Sequence, residues 1–408
     1  MSETTPPADR SGVPAELIRS WSFGKDPDAY ECPFRAMSKL HDGPDIFLNT
    51  EPSLNVSAQP GGTWVVTRFE LQREIQQRAD IFSNKGVANF SALLGEDWPL
   101  IPLELDAPDH VKYRAMLNPL FSPSRFKALE PQIRQSTVDL IEKFRDKGRC
   151  EFVQEFGRPL PIGVFLSLMG LPFDQMETFV GWAENTFRGE TREIRAAGAR
   201  AIKDYLTGVI EDRKVNPSDD IIGFLVKQEF KGEPLTYDAL IGITFLLFVG
   251  GLDTVAATLG FAYKALAEQP ELQRQLRADP SLIPNAVQEI LRAFGVVNSR
   301  RLVAQDVEFH GLPFKKGDSV DLPFALASRD PQQYPDPHKI DFMREDTVTL
   351  SFAAGPHRCI GSHLAQIEIR IALEEWIARV PEFRINPDEK TELHLQGVLG
   401  VDRLPLIW

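Results

Sequence analysis

Cysteine is scarce in this chain: there are three in 408 residues, Cys32, Cys150 and Cys359. An odd, sparse set is not a disulfide framework, and it suits a reducing cytoplasm. Long apolar runs are missing too. The longest, from Ala239 to Leu252, stops at Asp253. A spanning helix needs roughly 20 apolar residues, so this run reads as a buried core helix, and no membrane is expected. Positive charge is outnumbered: 45 Lys and Arg face 58 Asp and Glu, a formal net charge of −13. That excess repels phosphate backbones and anionic lipid, which argues against nucleic acid and membrane surfaces as partners. The stretch from Met1 to Trp21 is polar, with scattered prolines and no apolar core, so no signal peptide is expected there. A cytoplasmic monomer is the expectation.

What is present is an ordinary globular composition, 43% hydrophobic and 25% charged, enough for a substantial core. There is no internal repeat or low-complexity linker. Residues 1–21 read as a loosely held arm and 22–408 as a single domain. Gly62-Thr-Trp-Val-Val-Thr67 predicts a short strand, followed by a helix from Leu71 to Ala79. Val138, Ile141 and Phe144 keep helical spacing up to Gly148. Thr236 is placed to cap a long helix reaching about Glu268. A helix over Pro284 to Phe294 follows, then short alternating runs through Val307, Phe309, Leu312 and Val320, broken by Gly311 and Gly317. The last helix, Ser362 to Val380, has little polar face and should be buried. The expected fold class is mainly α with a minor β portion.

The most informative string is Phe352-Ala-Ala-Gly-Pro-His-Arg-Cys359-Ile-Gly361, directly before that last helix. A cysteine at a helix N-terminus faces the positive end of the dipole, which favours its thiolate. Gly355 and Gly361 permit backbone conformations and close approaches that a Cβ forbids, and Phe352 offers a flat apolar surface. Together they describe a thiolate in a tight loop under a large planar group. An inert buried cysteine remains the alternative for Cys359 taken alone. Zinc held by Cys359 and His363 is weaker, because a structural zinc wants four ligands.

Gly250-Gly-Leu-Asp-Thr254 interrupts the apolar helix. Adjacent glycines cost about 1 kcal/mol each inside a helix, so they need a reason. Close helix packing is one. The other is a groove: Thr254 can bond the carbonyl of Gly250 four residues back and bend the ladder. Glu289-Ile-Leu-Arg292 puts opposite charges three apart, by itself the pattern of a solvated surface pair.

The string Phe-x-x-Gly-x-His-x-Cys-x-Gly resembles the haem-binding segment of the cytochrome P-450 family. Gly250 to Thr254 resembles its motif on the long distal helix. The resemblance runs in family order from about Phe82 to Trp408, and is nearest to the bacterial camphor-hydroxylase group. It implies a haem–thiolate monooxygenase carrying heme b (iron protoporphyrin IX) between that distal helix and a proximal cysteine loop plus helix. Cys359 is then the axial ligand, whose electron donation favours O–O cleavage, with Asp253 and Thr254 delivering protons for that cleavage. His110, Arg114, Arg301 and His357 are implied propionate contacts, beside Phe352, Gly355 and Gly361. The camphor group carries an acid near Ser299, so serine departs from the pattern there. Glu289, Arg292 and Arg344 are implied to form a structural charge cluster.

The same resemblance gives Trp98, Leu246, Val249, Val297 and Val398 as substrate-facing residues. Trp98 stands where the camphor enzyme has a tyrosine hydroxyl, offering an indole N–H instead; simple packing in a lid is the alternative. A small apolar cyclic substrate follows, terpenoid or norisoprenoid, ionone-like or camphor-like. O2 and two electrons are implied, the electrons from a [2Fe-2S] ferredoxin with an NADH-dependent ferredoxin reductase. Arg114 and Arg358 are its expected basic contacts. A peroxygenase or isomerase, and a haem sensor, are the competing functions; neither needs the Asp253–Thr254 pair.

Overall fold

The computed structural model describes residues 12–52, 61–88 and 90–408. The expected arm lies outside them over residues 1–11, and from there it is tied down sooner than its composition suggests. Ile18–Arg19 (β1) pairs in parallel with Leu48 and Asn49 of Ile46–Asn49 (β2). Next come Thr63–Val66 (β3), Phe69–Gln77 (α1) and Phe82–Ser83 (β4). Helices follow over Asp109–Leu117 (α2), Pro123–Glu142 (α3), Met176–Arg188 (α4), Arg192–Val215 (α5), Tyr237–Leu252 (α6), Thr254–Glu268 (α7) and Ile283–Ala293 (α8). Then come Asn298–Val303 (β5), Val307–Phe309 (β6), Leu312–Phe314 (β7) and Ser319–Pro323 (β8), and last the helix Ser362–Arg379 (α9). The chain is mainly helical with a minor sheet portion.

These elements gather into two compact units. The first is drawn from residues up to Val87, Gln288–Cys359 and His394–Leu399. It holds a six-stranded sheet in the order β1-β2-β3-β8-β5-β4, with β6 and β7 as an antiparallel hairpin. Trp64 stacks on Phe314 at 4.6 Å and its indole donates to Asp318 at 2.8 Å, so a fully buried ring keeps its polar atom bonded.

The second unit comprises Ala88–Val287, Ile360–Leu393 and Gly400–Trp408. Its core is aromatic: Phe152 stacks on Tyr263 at 4.3 Å, and Trp376 meets Tyr263 edge-on at 4.9 Å. Rings of this size each bury roughly 150–250 Å², worth up to about 4–6 kcal/mol apiece. α9 contributes Trp376 and is buried along most of its length, as its lack of a polar face requires.

One element departs from expectation. The long helix capped by Thr236, whose hydroxyl accepts from the Ala239 N–H at 3.2 Å, does not run unbroken to Glu268. It breaks at Asp253 (φ −123°, ψ −39°), ending α6 and starting α7. By length and composition alone the 237–268 stretch could cross a membrane, but most of it is buried within the protein.

Candidate active site

The cysteine segment is held from several sides. Ala353 takes a left-handed φ of +58° and Gly355 one of +70°. A Cβ on Gly355 would come within 2.4 Å of the Gln76 carbonyl oxygen, so the loop lies directly on the end of α1 and admits no side chain there. Gln76, buried in α1, accepts the Ala354 N–H at 2.7 Å. The Ser351 hydroxyl donates to the Leu291 carbonyl at 2.5 Å. The turn closes with the Cys359 N–H donating to the Phe352 carbonyl at 2.8 Å. Cys359 is exposed, whereas Cys150 is buried and Cys32 partly so; burial pushes the Cys150 thiol up, with Glu155 and Glu151 adding to it. Of the three thiols, that of Cys359 is the most accessible. His357 ends the short turn Gly355–His357, half-buried, and Phe352 is half-buried too.

On α6 the two glycines divide the explanations between them. A Cβ on Gly251 would meet the Phe165 ring at 2.3 Å, so close packing demands that glycine; one on Gly250 would meet nothing within 4 Å. The Thr254 hydroxyl donates to the Gly250 carbonyl at 3.3 Å, which diverts the helix ladder where Asp253 leaves helical geometry. Leu246, Gly250, Asp253 and Thr254 recur at helical spacing and are exposed (Gly250) or partly exposed (the other three), while most of α6 is buried. That is an open stripe on a buried helix, with a hydroxyl and a carboxylate at one end.

Asp253 has a partner that the sequence did not reveal. Its carboxylate accepts from Arg188 of α4 at 2.6 Å. Arg188 also faces Glu184 and Asp402, each at 3.8 Å, and Arg158 bridges the same two acids at 3.0 and 3.4 Å. Arg158, Glu184, Arg188 and Asp402 line a surface cavity of about 450 Å³. A cluster of alternating charges thus links Asp253 to the wall of this cavity.

Besides His357, the implied propionate contacts fall on two elements. His110 and Arg114 sit one turn apart on α2, His110 buried and Arg114 partly so. Burial holds the His110 imidazole below its ordinary pKa, the Arg114 charge adds to this, and Asp106 opposes it. Arg301 on β5 is buried and donates to the Ser299 hydroxyl at 2.8 Å; the serine that departs from the camphor pattern has become a neighbour's acceptor.

Glu289 and Arg292 are fully buried, not a solvated pair. Arg292 donates to both Glu289 oxygens, at 2.9 and 2.7 Å, and to the carbonyls of Ser328 and Pro337, each at 2.8 Å. Arg344 completes the cluster, 3.2 Å from Glu289. Nearby Arg329 is pushed down to about 9 by burial, with the Arg292 charge adding to it.

Among the implied substrate residues, Val297 and Val398 face each other across an antiparallel bridge. Trp98 is buried against Phe245 at 5.2 Å, and Leu246 and Val249 lie on the α6 turns that follow Phe245. The Trp98 indole N–H is not open to a ligand: it donates to Glu96 at 2.5 Å. Gln76, Arg188 and Glu96 were the residues the sequence left unnoticed, since each acts through a partner that no local pattern identifies.

A family model described as Cytochrome P450 matches residues 168–401. The chain is similar to "Probable cytochrome P450 127A1" of Sinorhizobium fredii, 39% identical over 97% of this chain and 96% of that one. It is also similar to "Cytochrome P450 107B1" of Saccharopolyspora erythraea, 30% identical over 88% and 93%. Among solved structures, that of cytochrome P450 CYP101C1 superposes with a TM-score of 0.86 at 30% identity, covering 98% of this chain and 100% of that one. That of CYP101J2 gives 0.83 at 32%, covering 97% and 98%. The matched length, the identities and the shared fold agree: the chain belongs to the cytochrome P450 family of heme b monooxygenases.

Proposed function

We propose that this P450 hydroxylates a small apolar cyclic substrate, a terpenoid or norisoprenoid of ionone-like or camphor-like size. The observation that carries this reading is the likeness, over 98% and 97% of the chain, to two CYP101 structures, beside the sequence resemblance to the camphor-hydroxylase group. The apolar side chains of Leu246, Val249, Val297 and Val398 support it. Electrons would come from a [2Fe-2S] ferredoxin with an NADH-dependent reductase, and Arg114 and Arg358 would offer it basic contacts. The protein would work as a cytoplasmic monomer.

The residues present fit heme b: an exposed thiol on a braced loop, and open space at Gly250 beside a hydroxyl and a carboxylate. Cys359 would ligate the iron, and His110, Arg114, Arg301 and His357 would hold the propionates. When bound, the haem supplies reductive activation of O2 and transfer of one oxygen atom to the substrate. The chain's own part is proton handling. Asp253 accepts from Arg188, whose other contacts reach the surface cavity, so the carboxylate would have to leave that ion pair to carry a proton from solvent towards Thr254. Thr254 holds its hydroxyl on the open stripe, anchored to Gly250.

The test is a panel of cyclic terpenoids scored by the spin-state change of the ferric haem and then by product analysis, with ferredoxin and with peroxide as alternative drivers. Hydroxylated terpenoid formed with ferredoxin is expected. The "Steroid C26-monooxygenase" of Mycobacterium tuberculosis is 29% identical over 85% of this chain; turnover of a steroid and of no terpenoid would overturn the substrate reading. Loss of the reduced carbon-monoxide band of a thiolate-ligated haem in Cys359→Ala is the matching test of the ligand.

A further inference from the structure

An indole N–H on the wall of an apolar site is the natural handle for a substrate oxygen. Here that handle is taken. Trp98 Nε1 donates to Glu96 Oε2 at 2.5 Å, and the second carboxylate oxygen accepts from Lys203 Nζ of α5 at 2.5 Å. Trp98 is 4% exposed, whereas the Lys203 and Glu96 side chains are 16% and 30% exposed, so the indole end of this clasp is the one shielded from water. Burial pulls the Glu96 carboxyl upward, but Lys203 and Trp98 outweigh it and hold the group below the usual range. The same helix grips the segment a second time, Arg192 donating to the Ala92 carbonyl at 3.2 Å. The ring itself lies among aromatics: Phe245 contacts Trp98 at 5.2 Å and Phe90 at 5.9 Å.

We propose that Glu96, backed by Lys203, is a specificity-determining positioning residue: by holding the Trp98 indole N–H it withdraws that donor from the substrate and selects hydrocarbon skeletons over ketones of the same shape. This rests on the reading of Trp98 as a substrate-facing wall. The bond to a carboxylate is stronger than one to a neutral ketone oxygen. A ketone must therefore leave its oxygen unsatisfied or displace Glu96, whereas a hydrocarbon loses nothing.

The test titrates the ferric holoenzyme with a bicyclic monoterpene ketone and with the hydrocarbon of the same skeleton, following the spin state. The wild type should bind the hydrocarbon at least as tightly. Trp98→Phe removes the donor and should leave the ketone-to-hydrocarbon affinity ratio within about twofold. Glu96→Ala frees the donor and should raise the ratio about tenfold in favour of the ketone, while Glu96→Gln, which keeps an acceptor, stays near wild type. A selective loss of ketone affinity in Trp98→Phe, or an unchanged ratio in Glu96→Ala, overturns the proposal. The Trp98 indole resonance, assigned by its absence in Trp98→Phe, gives a readout that needs no substrate. It should move in Glu96→Ala and stay fixed when ketone is added to wild type; movement with ketone overturns the proposal. If neither compound alters the spin state while the resonance behaves as expected, the terpenoid reading falls and the Glu96 clasp stands.

Discussion

Arg292→Ala offers the sharpest separation between a surface ion pair and a buried one. Arg292 and Glu289 are 0% and 1% exposed at their side chains. The substitution removes two bonds to Glu289 and those to the carbonyls of Ser328 and Pro337. It leaves the Glu289 carboxylate buried with Arg344, at 3.2 Å, to offset it. Breaking a buried pair from one side costs about 3–5 kcal/mol, because the remaining charge stays desolvated. At roughly 2.1 cal/mol/K of unfolding entropy per residue, a cooperative transition of the whole chain would shift down by about 4–6 °C. A transition confined to the first unit would move further. Arg274 and Glu382 form a two-bonded pair of similar geometry, at 2.7 and 2.8 Å, but are 63% and 43% exposed. Arg274→Ala should shift the midpoint by no more than about 1 °C. The assay is thermal unfolding of the holoprotein by far-UV circular dichroism, with haem content measured alongside. Replacing both Glu289 and Arg292 by Met should recover only part of the loss, since Arg344, 11% exposed, then loses its acid. If Arg292→Ala melted within about 1 °C of wild type, like its exposed counterpart, the desolvation argument would be refuted.

Three further outcomes follow from the geometry. Asp253→Asn removes the carboxylate that Arg188 holds, and turnover should fall about a hundredfold with the carbon-monoxide band intact; steady-state product formation checks it. Gly355→Ala drives a Cβ to 2.4 Å from the Gln76 carbonyl at a left-handed φ, so the haem should be lost or its carbon-monoxide band displaced, read by difference spectroscopy. His110 has its folded pKa depressed by burial, then by Arg114. The unfolded chain therefore binds the proton first, and stability is full above the unfolded value near ~6.5 and is lost as pH falls through the folded one. In the haem-free protein, where no propionate opposes the shift, His110→Asn should flatten the fall in denaturation midpoint between pH 7 and pH 5; an equally steep fall would show that His110 does not contribute.

What could be read in advance was whatever is encoded in neighbouring residues. The loop from Phe352 to Cys359 is a local string, as is Gly250 to Thr254, and both carry their chemistry in spacing alone. The Thr254 bond to Gly250 spans four residues, so helix geometry was sufficient to expect it. Glu289 and Arg292 were visible as a pair for the same reason, but their burial was not, because it depends on the segment from Ser328 to Arg344 folding over them.

The chain's local patterns by themselves determined the mainly helical class, the cysteine loop, the distal glycine–acid–threonine stretch and, through them, the family. Tertiary structure alone decided which groups are already satisfied. Arg188 reaches Asp253 from 65 residues away, Gln76 holds Ala354 from 278 away, and Lys203 fixes Glu96 from 107 away. The Trp98 donor that looked available is occupied by Glu96, two residues away, which Lys203 holds from the distant helix. Secondary structure follows from short-range periodicity, whereas a hydrogen bond between distant residues exists only once packing has brought both partners out of water together.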